Sequence, residues 1–174
     1  MNVPETFSKD LVRFEMMKHF GYFVTESSTH MAEYVPYFMK RKSEIERLNI
    51  KQRTGETFAG QSAHKSEMMK KALENLEESV LEVKRSNEYA AEIINAIETD
   101  EPCCIYGNVR NSGLITNLPE GCCVEVPCLI NREGIQPCYV GELPAQCAGL
   151  CQTNVTMQGL TVRAILEKDR EHVY

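Results

Sequence analysis

Asp100-Glu101-Pro102 divides the chain into two kinds of sequence. Proline lacks a backbone N–H and pushes the residue before it out of helical geometry, so a helix arriving at Asp100 must stop. Upstream, apolar residues recur at helical spacing; downstream, short apolar runs alternate with turn formers. Cys103-Cys104-Ile105-Tyr106, Cys122 to Cys128 and Ile135 to Val140 read as strands. Asn131 to Gly134 makes a tight turn before the third. Leu143-Pro144 then opens a final helix towards Arg170, with Ala148, Val155, Leu160, Ala164 and Ile165 apolar. That order predicts an α+β fold: helices, then a small, mostly antiparallel sheet, then a long closing helix.

The helical part opens with residues 7–20, striped by Leu11, Phe14, Met17 and Phe20. Gly21 and the β-branched pair Val24-Thr25 break it, and Ser27 or Ser28 can cap a second helix over about 28–40. Met31, Tyr34, Val35 and Phe38 form its apolar side, with a kink or fresh start at Pro36. Arg41 to Arg47 is a charged continuation. Residues 49–63 are polar, contain glycine and lack a period, which predicts a surface connection. Residues 64–86 read as a long helix with Met69, Ala72, Leu73, Leu76, Val80 and Val83 on one stripe. Capped at Ser86, a further helix over 87–98 is expected to bury Tyr89, Ile93 and Ile97.

The 174 residues, 43% hydrophobic and 25% charged, suit one ordinary domain. A net charge of −6 argues against nucleic acid as a partner, because phosphate binding needs clustered cations. No apolar run approaches the roughly 20 residues that span a bilayer, so no membrane partner is expected. The N-terminal MNVPETFSKD shows no basic-then-apolar signal pattern. A cytoplasmic location is expected, and with it eight reduced, mostly buried cysteines. No C-x-x-C occurs, and Cys147-x-x-x-Cys151 is half a zinc site at best, so no metal ligands are assigned.

The densest reactive chemistry lies in Gly21 to Tyr34. His30, Glu33 and Tyr34 fall at i, i+3 and i+4, on one side of the second helix. Glu15, Glu26 and Glu33 could act as acid or base carboxylates. The same pattern also describes a solvated helix end, and a lone H-x-x-E is not the H-E-x-x-H zinc pattern. A second polar group, Asn108, Arg110 and Asn111, lies on the glycine-flanked segment 107–113, read as a loop. A guanidinium there suits a carboxylate, phosphate or vicinal hydroxyls, and the amides suit sugar hydroxyls. Asn and Gly are equally plain turn formers. Neither a nucleophile turn nor a phosphate-cradling glycine loop is present.

Taken together, Val12-Arg13-Phe14-Glu15-Met16, FGYFVTESSTHMAEYVPYF, EYAAEIINAI, IYGNVRNSGLITNLPEGCCVEVPCL, INREGIQP and QTNVTMQGLTVRAIL resemble the α-galactosidase branch of glycoside hydrolase family 4. The resemblance runs from about residue 10 to residue 174. It implies the C-terminal half of a lactate/malate dehydrogenase-like fold, and a cytosolic bacterial enzyme that cleaves α-galactosides such as melibiose with NAD and a divalent metal, usually manganese. In the implied mechanism the sugar's 3-hydroxyl is oxidised, which acidifies the proton on C2. A base removes that proton, the glycosidic oxygen leaves, water adds and the hydride returns.

The family's glycine-rich dinucleotide loop and its Cys-His and Asn-His metal motifs do not occur here. The resemblance therefore implies that residues 1–174 are a C-terminal, substrate-side domain without the Rossmann half. NAD and Mn2+ are expected for the complete enzyme, neither on this chain alone, and the chain alone is expected to be inactive. Counting from Gly21 to the tyrosine base of phospho-glycosidase members lands on Ser27. Tyr34 or His30, with Glu26 behind them, are the substitute catalytic candidates. Ser27, Glu33, Asn108, Arg110 and Asn111 are the substrate-binding candidates. The expected partners are an α-galactoside and either further copies of the chain or an N-terminal half. The alternative is a non-catalytic assembly fragment that uses the helical surface around 64–98 and needs such a half. Apolar surface left open would favour self-association.

Overall fold

Gly21 ends the first helix in the left-handed region, at φ +82°, and its N–H closes onto Met17 O. Glycine adopts that conformation without a Cβ penalty, so the break expected there forms. In this computed structural model the described residues are 7, 9–52, 54–74 and 86–173. They fall into two compact units, Met1–Ser86 and Asn87–Tyr174.

The first unit holds α1 (Leu11–Phe20), α2 (Ser28–Tyr34), α3 (Lys42–Arg47) and α4 (Gly55–Glu74). On α1 the buried positions are Val12 and Met16, while Met17 is exposed, so the packed stripe is offset by one residue from the expected one. Phe14 instead joins an aromatic cluster with Phe7 and Phe23, at centroid distances of 6.1 and 6.0 Å. The second helix is half its expected length. Val35 turns extended (φ −124°, ψ 148°) ahead of Pro36, as the proline ring requires. Val35, Phe38, Leu48 and Ile50 are nevertheless buried, so the non-helical stretch still serves the core.

Residues 49–63 are not a connection throughout, because α4 starts at Gly55. Thr54 and Thr57 account for this. Thr57 N–H donates to Thr54 Oγ1 (3.3 Å) and Thr54 N–H to Thr57 Oγ1 (2.9 Å), a reciprocal cap that nucleates a helix in a polar sequence. No described residue of α4 is buried. The helix expected over 64–86 is described as far as Glu74; Leu76, Val80 and Val83 lie outside the described residues.

The second unit contains α5 (Ala90–Thr99), β1 (Cys103–Arg110), β2 (Cys123–Asn131), β3 (Gly134–Pro137) and α6 (Ala145–Glu167), followed by a short 3-10 turn, Arg170–Val173. Helix α5 is preceded by Tyr89, not Ser86, at its N-cap; it buries Ala96 and leaves Tyr89 exposed. The three strands run antiparallel in the order β1-β2-β3. A two-residue turn, Arg132-Glu133, joins β2 to β3; Gly134 takes φ +100° and Asn131 Oδ1 accepts from Glu133 N–H at 2.9 Å. The α+β order read from the sequence is the order observed.

Ile105, Val124, Val126, Cys128 and Ile130 point to the inner face, where Ala96, Ile93 and Ile97 of α5 pack on them together with Ile115 and Leu118. Burying each Val or Ile stabilises by roughly 1.5–3 kcal/mol. Pro127 sits in the central strand at the end of its pairing with β3. Its carbonyl accepts from Cys138 N–H, so its missing donor faces Cys138, one residue beyond β3.

All eight cysteines are free, but only Cys128 is buried; Cys104, Cys123, Cys138 and Cys151 are exposed. The expectation of mostly buried thiols fails: Cys103 and Cys104 are neighbours on β1 and face opposite sides, and Cys123 takes an exposed position of β2. Among the described residues no helix is long and apolar enough to cross a membrane.

Candidate functional site

Two adjacent serines set the polar cluster of the first unit. Ser27 Oγ accepts from His30 N–H at 3.3 Å and caps α2. Ser28 Oγ accepts from Arg13 N–H at 3.4 Å, one of the amides in the first turn of α1 that has no partner inside its own helix. Arg13 completes the clamp. Its Nε donates to Val24 O at 2.8 Å, its Nη1 pairs with Asp10 at 2.9 Å, and its guanidinium lies 4.1 Å from the Phe23 ring centroid. Met31 and Ala32 bury the opposite face of α2. The backbone beneath the cluster is thus fixed from both sides.

On the solvent side, His30 Nδ1 lies 3.0 Å from Glu33 Oε2, with the two side chains 39% and 36% exposed. The His30 and Tyr34 rings are near-parallel, 15° apart at 6.1 Å between centroids. His30, Glu33 and Tyr34 are therefore brought together as the i, i+3, i+4 spacing implied. Glu26 is exposed and directs Oε1 back to Ser27 N–H at 2.7 Å. Ser27 uses its hydroxyl as a helix cap. Glu15 belongs to an ion-pair group, 3.5 Å from His19 and 3.6 Å from Arg47. Arg47 in turn grips Glu44 at 2.7 Å, and this hydrogen bond holds the Glu44 carboxyl below its usual range and raises Arg47. That carboxylate is engaged in structure.

In the second unit, 107–110 is strand, not loop. Asn108 lies opposite Glu125 and Arg110 opposite Cys123, so both project from the exposed outer face. Gly107 faces inward, and a Cβ there would stand 3.2 Å from Cys128 Sγ. Its role is room for a buried sulfur, whose thiol burial pushes up in pKa.

Asn111 departs furthest from expectation. It is 1% exposed and its amide is fully engaged. Nδ2 donates to Ile115 O (3.0 Å), Pro119 O (3.1 Å) and Leu118 O (3.2 Å), and Oδ1 accepts from Ile115 N–H (3.0 Å). An amide spent this way has nothing left for a sugar. Asn111 organises the 111–122 loop, and its assignment to substrate is corrected accordingly. Asn117, which the spacing did not single out, does similar work at longer range. It pairs with Leu143 through both its amide (2.8 Å) and its oxygen (2.9 Å). A shallow depression of about 270 Å³ beside this loop is lined by Asn111, Gly113, Ile115, Thr116, Leu118 and Glu120.

Among the described residues, no group of three or more His, Cys, Asp or Glu side chains is arranged to hold a metal. The donor set of a manganese site is not found in these residues.

This architecture is shared with solved structures. It matches that of lplD from Bacillus subtilis with a TM-score of 0.81 at 22% identity, over 98% of this chain and 38% of that one. It also matches a 6-phospho-α-glucosidase from gut microorganisms, solved in complex with NAD and Mn2+, with a TM-score of 0.63 at 20% identity, over 92% of this chain and 36% of that one. Residues 2–174 match the family 4 glycosyl hydrolase C-terminal domain, and the chain belongs to that family. It is 44% identical over 166 residues to the alpha-galactosidase of Bacillus subtilis (strain 168), covering 95% of this chain and 38% of the relative. With the alpha-galactosidase of Rhizobium meliloti (strain 1021) it shares 33% identity over 172 residues, 94% of this chain and 35% of the relative. The chain thus spans little more than a third of the length of these relatives.

Proposed function

We propose that the chain is the sugar-facing, C-terminal part of a cytoplasmic glycosidase that acts on α-galactosides. The observation that carries this reading is the 44% identity to an alpha-galactosidase across 95% of the chain. The cluster at α2 supports it: a histidine, a glutamate and a tyrosine stand on an anchored, partly open helix, with Glu26 just ahead of its cap, which suits proton transfer at a sugar. Asn108 and Arg110, on the outer face of the sheet, supply donors suited to hydroxyl groups. NAD and a divalent metal belong to the complete enzyme in this reading and are held outside this chain.

The chain alone is therefore inactive. Purified protein given NAD, Mn2+ and an aryl α-galactoside should release no aglycone, and turnover would overturn this point. Mixing it with a fragment that carries the remaining two-thirds of the relatives' length should restore turnover. Preference for an aryl α-galactoside over α-glucosides, phosphorylated or not, is the expected result; the reverse preference rejects the galactoside assignment.

A second reading is an assembly role, with further copies of the chain or an N-terminal half as the partner. It is favoured by exposed apolar side chains on α4 (Phe58, Met68, Met69, Leu73) and on α6 (Ile165, Leu166). Size-exclusion chromatography with light scattering separates the two. A monomer that binds no complementary fragment would remove the assembly reading.

A further inference from the structure

The Nδ1 atom of His30 faces a carboxylate that can only accept a hydrogen bond. Glu33 Oε2 stands 3.0 Å from it on the next turn of α2. A neutral imidazole carries one proton, and whichever nitrogen holds it is the donor. An ionised Glu33 favours that proton on Nδ1 and leaves the lone pair on Nε2, for which the described residues provide no partner. We infer that Glu33 is a positioning residue that fixes His30 in the Nδ1–H form and makes Nε2 the proton-accepting atom of the α2 cluster.

Three features separate this pair from a loose surface contact. Ser27 caps the helix on the His30 amide itself, fixing the turn from which the imidazole projects. The near-parallel Tyr34 ring stands on one side of the imidazole, 6.1 Å away between centroids. The helix is tied to α1 through Ser28 and Arg13 and buries Met31 and Ala32, so the backbone beneath both partners is held. The chemistry follows from charge. When a sugar C–H or O–H bond breaks towards Nε2, the electron pair stays on the sugar and the proton forms a new N–H bond. The ring then becomes an imidazolium, whose positive charge lies beside the Glu33 carboxylate. The assignment of this role to sugar chemistry rests on the function proposed above; the tautomer does not.

The test reads the tautomer directly and involves no sugar. The chain, with isotope-labelled histidine, is observed by long-range nitrogen–proton correlation above the ordinary imidazole pKa of about 6.5. Nδ1–H is expected to be the majority form of His30. Glu33→Ala should invert the ratio towards Nε2–H, the form favoured by an isolated histidine side chain, whereas Glu33→Gln, which keeps an acceptor oxygen, should preserve Nδ1–H. Backbone amide spectra establish that α2 is intact in both variants. A majority of Nε2–H in the unsubstituted chain, or an unchanged ratio in Glu33→Ala, overturns the inference. Either outcome leaves the galactoside reading standing on its own assays.

Discussion

His30 and Asn111 carry similar signals in the sequence, polar side chains in a dense polar segment just after a glycine, and meet opposite fates in the fold. Asn111 is buried and engages every hydrogen-bonding group of its amide with the backbone of 115–119. His30 stands on a helix whose other face is buried, with one nitrogen engaged by Glu33 and the other turned away from it. The difference lies in donor accounting under burial. A buried amide must satisfy itself from the chain, whereas a side chain on an exposed face is left with capacity to act on something else. Polar density marks both places; only the fold tells a spent side chain from an available one.

The sharpest way to break this comparison is to truncate both residues. Asn111→Ala strands the Ile115 N–H and removes the donor from three carbonyls, and is expected to cost about 3 kcal/mol. His30→Ala removes an exposed side chain and should cost less than about 0.5 kcal/mol. Denaturant midpoints of the two variants measure the gap. If Asn111→Ala were as mild as His30→Ala, the loop would not depend on that amide, and a ligand-facing role for Asn111 would return.

The adjacent serines sharpen the contrast between local and tertiary bonding. Ser27 caps its own helix, while Ser28 accepts from α1. Each alanine substitution should cost roughly 1 kcal/mol, the usual worth of a cap. The consequences differ in kind. Ser27→Ala should raise amide exchange at His30 and leave Arg13 alone, whereas Ser28→Ala should raise it at Arg13. Equal exchange at both sites in both variants would mean that neither hydroxyl acts as placed here.

How much could be read beforehand follows the same division. The stop at Pro102, the hairpin at 131–134 and a serine cap at 27 or 28 are local events. Each depends on one residue's backbone chemistry, and each was legible. The extension of β1 through Arg110 was not. Gly107 and Asn108 look like turn formers, yet Val124 and Glu125 across the ladder hold Val109 and Asn108 in register. Strand length is decided by the partner strand more than by propensity. The start of α4 at Gly55 rests on a reciprocal threonine cap in a segment with no apolar period to announce it. Of the candidate site, the His30-Glu33-Tyr34 grouping was legible because helical spacing places side chains directly. The burial of Asn111 was not, since it depends on a loop that closes through four bonds to a single side chain.

The smallest expected effect concerns a second exposed pair of the same spacing, Glu44 and Arg47. Here the partner is a permanent cation, and its hydrogen bond holds the Glu44 carboxyl below the ordinary glutamate value of about 4.3. A carboxyl whose folded-state pKa is depressed adds stability above its unfolded pKa, and that contribution is lost as pH falls through the lower, folded value. Titration of the Glu44 side chain by NMR should therefore give a midpoint below the ordinary one, and Arg47→Ala should return it upwards. Because the Arg47 and Glu44 side chains are 49% and 32% exposed, solvent screens the pair, and the denaturant midpoint at neutral pH should move less than for any substitution above. A midpoint that ignores Arg47→Ala would mean the fork is not formed in solution. An unformed fork would also weaken the case that an i, i+3 contact on an exposed helix, such as His30 with Glu33, persists without a permanent charge to hold it.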